Sequence, residues 1–291
     1  MQANLFTRIA AEVTINGQGP FSFVIDTGAG STAVADTVAA RLALPAREPL
    51  MVHGITSAAQ TDSVQVDRLV LSGLGFRNLR CPVIPREQLG ADGLLGLDVL
   101  GRFRLTFNIE HQSVFMSARG IRVLMGGGER MSTGSRIRQG GVHSVRGRFG
   151  QMILTSTMVE GQLTAAFIDS GAQYSIGNNA LRRAVAARRP GGIGLSRPVP
   201  LYGVTGQTLS ADLATVDQIR LGRSRLGTTP LLFADLHCFE TLELADRPAL
   251  LVGADLLGRF RQVTLDFPAN TVDLEGLRRR ATRTIEDELL L

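Results

Sequence analysis

Two short motifs hold the side chains with the clearest chemical potential: Val24-Ile25-Asp26-Thr27-Gly28 and Phe167-Ile168-Asp169-Ser170-Gly171. Each sets a carboxylate between two apolar, β-favouring residues and a small hydroxyl–glycine turn. An Asp in such surroundings is costly unless it is satisfied. For either motif alone, the plain reading is an Asp that caps a turn. Recurrence in two equivalent copies reverses that reading, because a pseudo-twofold axis would bring both turns together. Two carboxylates in contact cannot both ionise cheaply, so they share one proton and titrate as a unit. The ionised member takes a proton from a held water while the protonated member donates to a carbonyl oxygen. That is amide hydrolysis without a covalent intermediate. In this scheme the Thr27 and Ser170 hydroxyls bond across to the opposite strand and fix the pair. Gly28 and Gly171 permit close backbone approach and donate N–H groups to the carboxylates.

The elements that must position these residues also recur. AEVTINGQGPFSFVIDTGAGSTAV, from Ala11, matches STMVEGQLTAAFIDSGAQYSI, from Ser156. LMVHGITSAAQTDSV matches PLYGVTGQTLSADLA, and GADGLLGLDVLGRFRLTFNIE matches RPALLVGADLLGRFRQVTLDF. Three blocks in one order make an internal repeat, a stronger signal than any single motif. Asp26 and Gly96 are 70 residues apart and Asp169 and Gly253 are 84 apart, so the second copy is longer by 14. Part of the excess falls in the polar stretch 188–197 and part around Asp235–Pro248.

Alternation in AEVTING and the run FSFVI predict a hairpin that delivers each Asp at a strand end. Gly54 with Ile55–Ser57, and Gly203 with Val204–Gly206, read as hairpin tips. DVLGRF and DLLGRF suit one short helix per copy, with Asp98 and Asp255 as N-caps. A strand pair follows in each copy. The expected architecture is all-β: an N-terminal lobe over 1–118, a Gly/Arg-rich linker over 119–149, a C-terminal lobe over 150–276 and a tail over 277–291. The tail reads equally as a terminal helix or as disordered chain.

Composition narrows the alternatives. The chain has 291 residues, 44% hydrophobic and 20% charged, enough apolar content for two packed lobes and too much for wholesale disorder. Two cysteines exclude a four-cysteine metal site, and the four histidines (His53, His111, His143, His237) show no metal-ligand spacing. No metal and no cofactor is expected, and no apolar run is long enough to span a membrane. The start, MQANLFTRIAAEV, has no charged segment leading into an apolar one, so no signal peptide is expected.

All 31 basic residues are arginine, seven of them within 119–149 beside one acid, Glu129. That segment is the one candidate for nucleic-acid or acidic-lipid binding. Its eight glycines and single aromatic, Phe149, favour a solvated linker, so no nucleic-acid partner is expected.

Other nucleophiles are poorly supported. Ser170 lacks the glycine two positions earlier that a nucleophile elbow needs. His237 and Cys238 are adjacent and would point to opposite faces of a strand, and Cys81 and Cys238 read as free thiols in preference to a disulfide. GLGFRN and GAGSTA lack the third glycine of a dinucleotide loop, and a phosphate loop is excluded by the absence of lysine.

The two Asp motifs, each followed about 70–85 residues later by Leu94-Leu95-Gly96 or Leu251-Val252-Gly253 and a short helix, resemble retropepsin-like aspartic proteases. The resemblance covers roughly 8–117 and 150–275. It implies one retropepsin-like lobe per half, fused as in pepsin but shorter, so that a monomer forms an intramolecular pseudo-dimer. It implies Asp26 and Asp169 as the catalytic pair, supported by Thr27, Gly28, Ser170 and Gly171. It further implies two flaps that contact a polypeptide substrate, His53, Gly54, Ile55 and Thr56 in one and Tyr202, Gly203, Val204 and Thr205 in the other. Ala29-Gly30 and Ala172-Gln173 depart from the viral pattern, which carries an acid there. The implied activity is an aspartic-type endopeptidase in an exported or periplasmic setting. The alternative is a peptide-binding module of the same fold that hydrolyses little.

Overall fold

The computed structural model describes residues 9–118, 121–125, 141–191, 193–194, 197–203 and 206–278. In the first lobe the strands Ala10–Ile15 and Gln18–Ile25 bury Val13, Ile15, Phe21, Phe23 and Ile25 on one face. The turn between them sits at Asn16 and Gly17, both with positive φ. Each large side chain sealed this way contributes about 1.5–3 kcal/mol. Gln18–Ile25 pairs in parallel with Gly93–Leu95, which pairs with Ala33–Ala35, which pairs with Leu74–Ile84. Leu74–Ile84 pairs with Ala58–Leu71, and that strand returns to Ala10–Ile15 through Val13 opposite Leu71. Six strands thus close a barrel, and Ala46–His53 extends from it as an outer hairpin arm on Ala58–Leu71.

The second lobe repeats these pairings. Met152–Val159 pairs with Gln162–Ile168, which runs parallel to Ala249–Val252. Ile176–Gly177, Thr229–Phe233, Thr208–Val216 and Arg197–Tyr202 complete the same order. Where the first lobe has one long strand, the second has two, Thr208–Val216 and Ile219–Leu221. At that break the buried Glu160 carboxylate accepts the Asp217 and Gln218 N–H groups and pairs with Arg189.

Between the lobes, Arg104–Asn108 pairs with Phe260–Asp266 in antiparallel register, Thr106 opposite Thr264. Their hydroxyls are 3.3 Å apart, the Thr264 hydroxyl donating to that of Thr106. Ser113–Ala118 and Thr271–Leu277 flank this central pair. The fold is therefore all-β and bilobal, joined by one shared sheet with a continuous buried core beneath it.

Three expectations need correction. Ile121–Met125 pairs with Ser113–Ala118, and Val142–Arg146 pairs with Met152–Val159 and Thr271–Leu277. Both ends of the expected linker are therefore strands; arginine and glycine density had masked the β-favouring runs IRVLM and VHSVR. Residues 119–120 and 126–140, like the tail from 279 onward, lie outside the described residues.

Each lobe also holds three short helices instead of one. Asp36–Arg41 and Arg86–Leu89 accompany Leu97–Leu100, and Asn179–Arg188 and His237–Thr241 accompany Ala254–Leu257. Asn178 caps Asn179–Arg188 by accepting the Leu181 N–H at 2.8 Å.

Asp98 and Asp255 do not cap their helices. The N-cap positions are Gly96 and Gly253, with no side-chain cap. No helix among the described residues is long and apolar enough to cross a membrane.

Candidate active site

Each Asp leaves the end of a strand at the point where a parallel neighbour passes below it. The Asp26 N–H donates to Leu95 O at 3.1 Å, and the Asp169 N–H donates to Val252 O at 3.0 Å. The neighbouring strand then turns through Gly96 or Gly253. A β-carbon on Gly96 would stand 2.6 Å from Ser31 O, and one on Gly253 would stand 2.6 Å from Tyr174 O. Close backbone crossing, with no room for a side chain, is what the glycines of LLG and LVG provide.

A second pair of contacts locks this crossing. Thr32 Oγ1 donates to Asp98 Oδ1 at 2.7 Å and accepts the Gly96 N–H at 3.1 Å. In the second lobe Ser175 Oγ donates to Asp255 Oδ1 at 2.6 Å and accepts the Gly253 N–H at 2.9 Å. Burial pushes the Asp255 carboxyl up to about 6, against the opposing pull of its Ser175 bonds.

The two Asp turns interlock. Ser170 Oγ accepts the Thr27 N–H at 3.0 Å and donates to Ile25 O at 3.0 Å. Thr27 Oγ1 reciprocates, accepting the Ser170 N–H at 3.0 Å and facing Ile168 O at 3.4 Å. All four groups are buried, so a water-free bracket holds the loops together. Asp26 Oδ1 accepts the Gly28 and Ala29 N–H groups at 2.9 and 3.1 Å. Asp169 Oδ1 accepts those of Gly171 and Ala172 at the same distances.

The carboxyls also cross over. A β-carbon on Gly28 would lie 2.5 Å from both Asp169 oxygens, and one on Gly171 would lie 2.5 Å from Asp26 Oδ2. Gly28→Ala should therefore push the pair apart. We expect at least about a hundredfold loss of any chemistry that depends on the contact, measured as kcat on a peptide substrate.

Electrostatics differ between the two acids. Asp169, only 6% exposed, is pushed up to about 7, mainly by burial and then by the Asp26 charge. Asp26 is also raised by burial, but its backbone bonds and its hydrogen bond with Asp169 oppose the shift. Both acids are raised, so the pair holds a shared proton into the near-neutral range and titrates as a unit.

The tip of each expected hairpin reaches toward the opposite lobe. In the first, His53 pairs with Ala58 and the tip runs through Gly54, Ile55 and Thr56. Ile55 packs against the second lobe's core cluster, and Ile55 O faces the Cys238 N–H at 3.4 Å. In the second, Gly203 lies against Thr56, so the two tips meet, while Gly206 approaches Gln88 of the first lobe. The Thr56 hydroxyl oxygen is buried with no hydrogen-bond partner among the described residues. Tyr202 is 76% exposed at the base of the second tip. Val204 and Thr205 lie outside the described residues.

A family profile described as aspartyl protease matches residues 11–99. The match takes in Asp26, the first hairpin and the Leu94-Leu95-Gly96 turn. No curated protein matches the chain. Among solved structures, basic 7S globulin from soybean is similar with a TM-score of 0.42 and 10% identity, over 92% of this chain and 94% of that one.

Sequence reasoning missed several residues that frame the site. Thr32 and Ser175 each lie six positions after an Asp, and Asp98 and Asp255 each lie two after the LLG-type glycine. Aligning the two halves carried that signal. Gln151 and Phe149 had no such signal. Gln151 Nε2 donates to Gly28 O at 3.0 Å, and Phe149 packs on Gly30. The end of the expected linker is therefore a wall of the first Asp loop.

His237 and Cys238 sit on the helix His237–Thr241, not on a strand. Both cysteines are free. Burial raises the Cys238 thiol, with the Asp169 charge adding to it, and burial brings Cys81 up to about 12, so both stay protonated.

Proposed function

We propose that the chain is an aspartic-type endopeptidase of the retropepsin-like kind, working through Asp26 and Asp169 of one molecule. One observation carries the reading: two carboxyls from equivalent loops meet, each fixed by two backbone N–H groups and braced by the crossed Thr27 and Ser170 hydroxyls. The aspartyl protease profile over the first lobe supports it. Asp26, whose raised value is opposed by more hydrogen bonds to its charged form, serves as base toward a water held between the carboxyls. Asp169, pushed up to about 7, donates to the carbonyl oxygen of the scissile bond. The backbone N–H groups hold both acids in place and share their developing charge.

The substrate in this reading is an extended polypeptide lying between lobes 1–118 and 150–276 and beneath the two hairpins. Its main chain would pair with the hairpin backbones, as strands add to sheet edges. In this reading the hairpin at 53–56 and the hairpin reaching Tyr202 and Gly203 serve as the flaps.

The pH profile tests this reading. The profile should be a bell whose limbs belong to the pair, with the basic limb near 7, where the shared proton is lost. Hydroxyl isosteres of the tetrahedral species should inhibit, since they replace the held water between the acids. Chelators and thiol reagents should leave the rate unchanged. A rate that climbs steadily above pH 8, or insensitivity to every hydroxyl isostere, would remove the shared-proton mechanism.

A further inference from the structure

We propose that His53 and His237 form a proton-operated latch that holds the first hairpin closed over the Asp26–Asp169 pair and releases it on acidification. The inference rests on reading that hairpin as the cover of a peptide cleft. His53 ends the strand Ala46–His53, one residue before the hairpin tip, and His237 opens the helix His237–Thr241 of the other lobe. His53 Nδ1 lies 2.9 Å from His237 Nε2, and the rings stack at 5.2 Å with an interplanar angle of 12°. Phe149 packs on His53 at 5.9 Å. The His53–His237 contact, with the Ile55 contact beside it, ties the hairpin to the second lobe.

The contact needs at least one neutral ring, because one nitrogen must accept what the other donates. One proton can be shared across it. A second leaves two donors facing each other and two like charges in contact. The charged groups around the pair sharpen this. Arg148, stacked on Phe149, adds positive charge at His53, and the Glu240 carboxylate lies 3.5 Å from His237 Nδ1. The Thr241 hydroxyl, 3.2 Å from His237 Nε2, is neutral. Two imidazolium charges beside Arg148 outweigh the single Glu240.

The sign follows. Burial first, then the His237 and Arg148 charges, lower His53 from its ordinary 6.5 in the closed form. Closing therefore releases a proton. The latch contributes fully above about 6.5 and weakens as pH falls below it. The same fall in pH loads the shared proton onto the carboxyl pair, so opening and activation would coincide.

Hydrogen exchange tests the latch without requiring any peptide hydrolysis. The measurement uses full-length Asp169→Asn protein, in which the carboxyl pair cannot share a proton, so its failure is separate from failure of the protease reading. Amides of 46–58 are followed at pH 7.5 and 5.0, corrected for intrinsic exchange, with 104–108 of the shared sheet as an internal control. Opening should increase by about tenfold at the lower pH, while the control stays constant. The His53→Phe/His237→Phe change in the same background keeps an aromatic ring at both positions and removes both imidazoles. There the pH effect should shrink below about twofold. Corrected exchange that ignores pH in the parent, or that responds equally in the Phe variant, would overturn the proposal. A change in the control strand would show general unfolding and count against it as well.

Discussion

Replacing Asp26 or Asp169 by Asn should abolish peptide cleavage and leave a folded protein. Either change deletes the shared proton while preserving volume and most of the backbone bonds to Oδ1. Acid–base assistance of this kind is worth about 10²–10⁴-fold, so residual activity should not exceed about a hundredth of the parent. Stability should move the other way. Both carboxyls are raised in the folded state, which favours their protonated form. Their contribution is therefore held at low pH and lost as pH rises through the folded value, about 7 for Asp169. Asp169→Asn should raise the melting temperature at pH 8 by about 4 °C or more, and by less at pH 5, partway between the ordinary 3.8 and the folded value. Loss of activity with a fall in melting temperature at both pH values would mean that the variant had damaged the fold, not the chemistry.

Specific activity should stay constant on dilution from micromolar to nanomolar protein. Viral enzymes with one Asp per chain lose activity as the dimer parts. Here the partner carboxyl belongs to the same chain, and the lobes share a sheet in which Arg104–Asn108 pairs with Phe260–Asp266. Tethering holds one lobe at an effective concentration around millimolar for the other. Half-chains ending near Ser117 or beginning near Phe149 should each be inactive. Each loses its half of the Thr27–Ser170 bracket and exposes the unpaired edge of a central strand. Activity that falls steeply with dilution, or a first half that cleaves alone, would place the catalytic pair between chains.

The sequence disclosed the site more fully than its surroundings. Asp26, Asp169 and their hydroxyl–glycine turns were legible because the repeat shows each twice, in strands whose alternation is visible in FSFVI and AAFI. The cross-bonding of Thr27 with Ser170 followed from symmetry alone. The helices Asp36–Arg41 and His237–Thr241 did not, because pieces of six and five residues carry too little periodicity to be recognised. The strands Ile121–Met125 and Val142–Arg146 were hidden for another reason. Their arginines gave the segment a solvated look, and Val142–Arg146 completes its pairing on Thr271–Leu277, far away in sequence. The His53–His237 contact joins residues 184 positions apart through a pairing that the repeat does not duplicate. Symmetry revealed what both halves share; only the structure reveals what one half does to the other.

The most direct measurement is digestion of a peptide library by the purified full chain between pH 4 and 8 in H₂¹⁸O, with new termini read by mass spectrometry. Internal cleavages carrying one ¹⁸O in each new carboxyl, most abundant below about pH 7 and absent with Asp26→Asn and Asp169→Asn, are the expected result. Library peptides left intact across the whole range, or cleavages that survive in both Asn variants, would contradict the assignment of Asp26 and Asp169 as a water-activating pair.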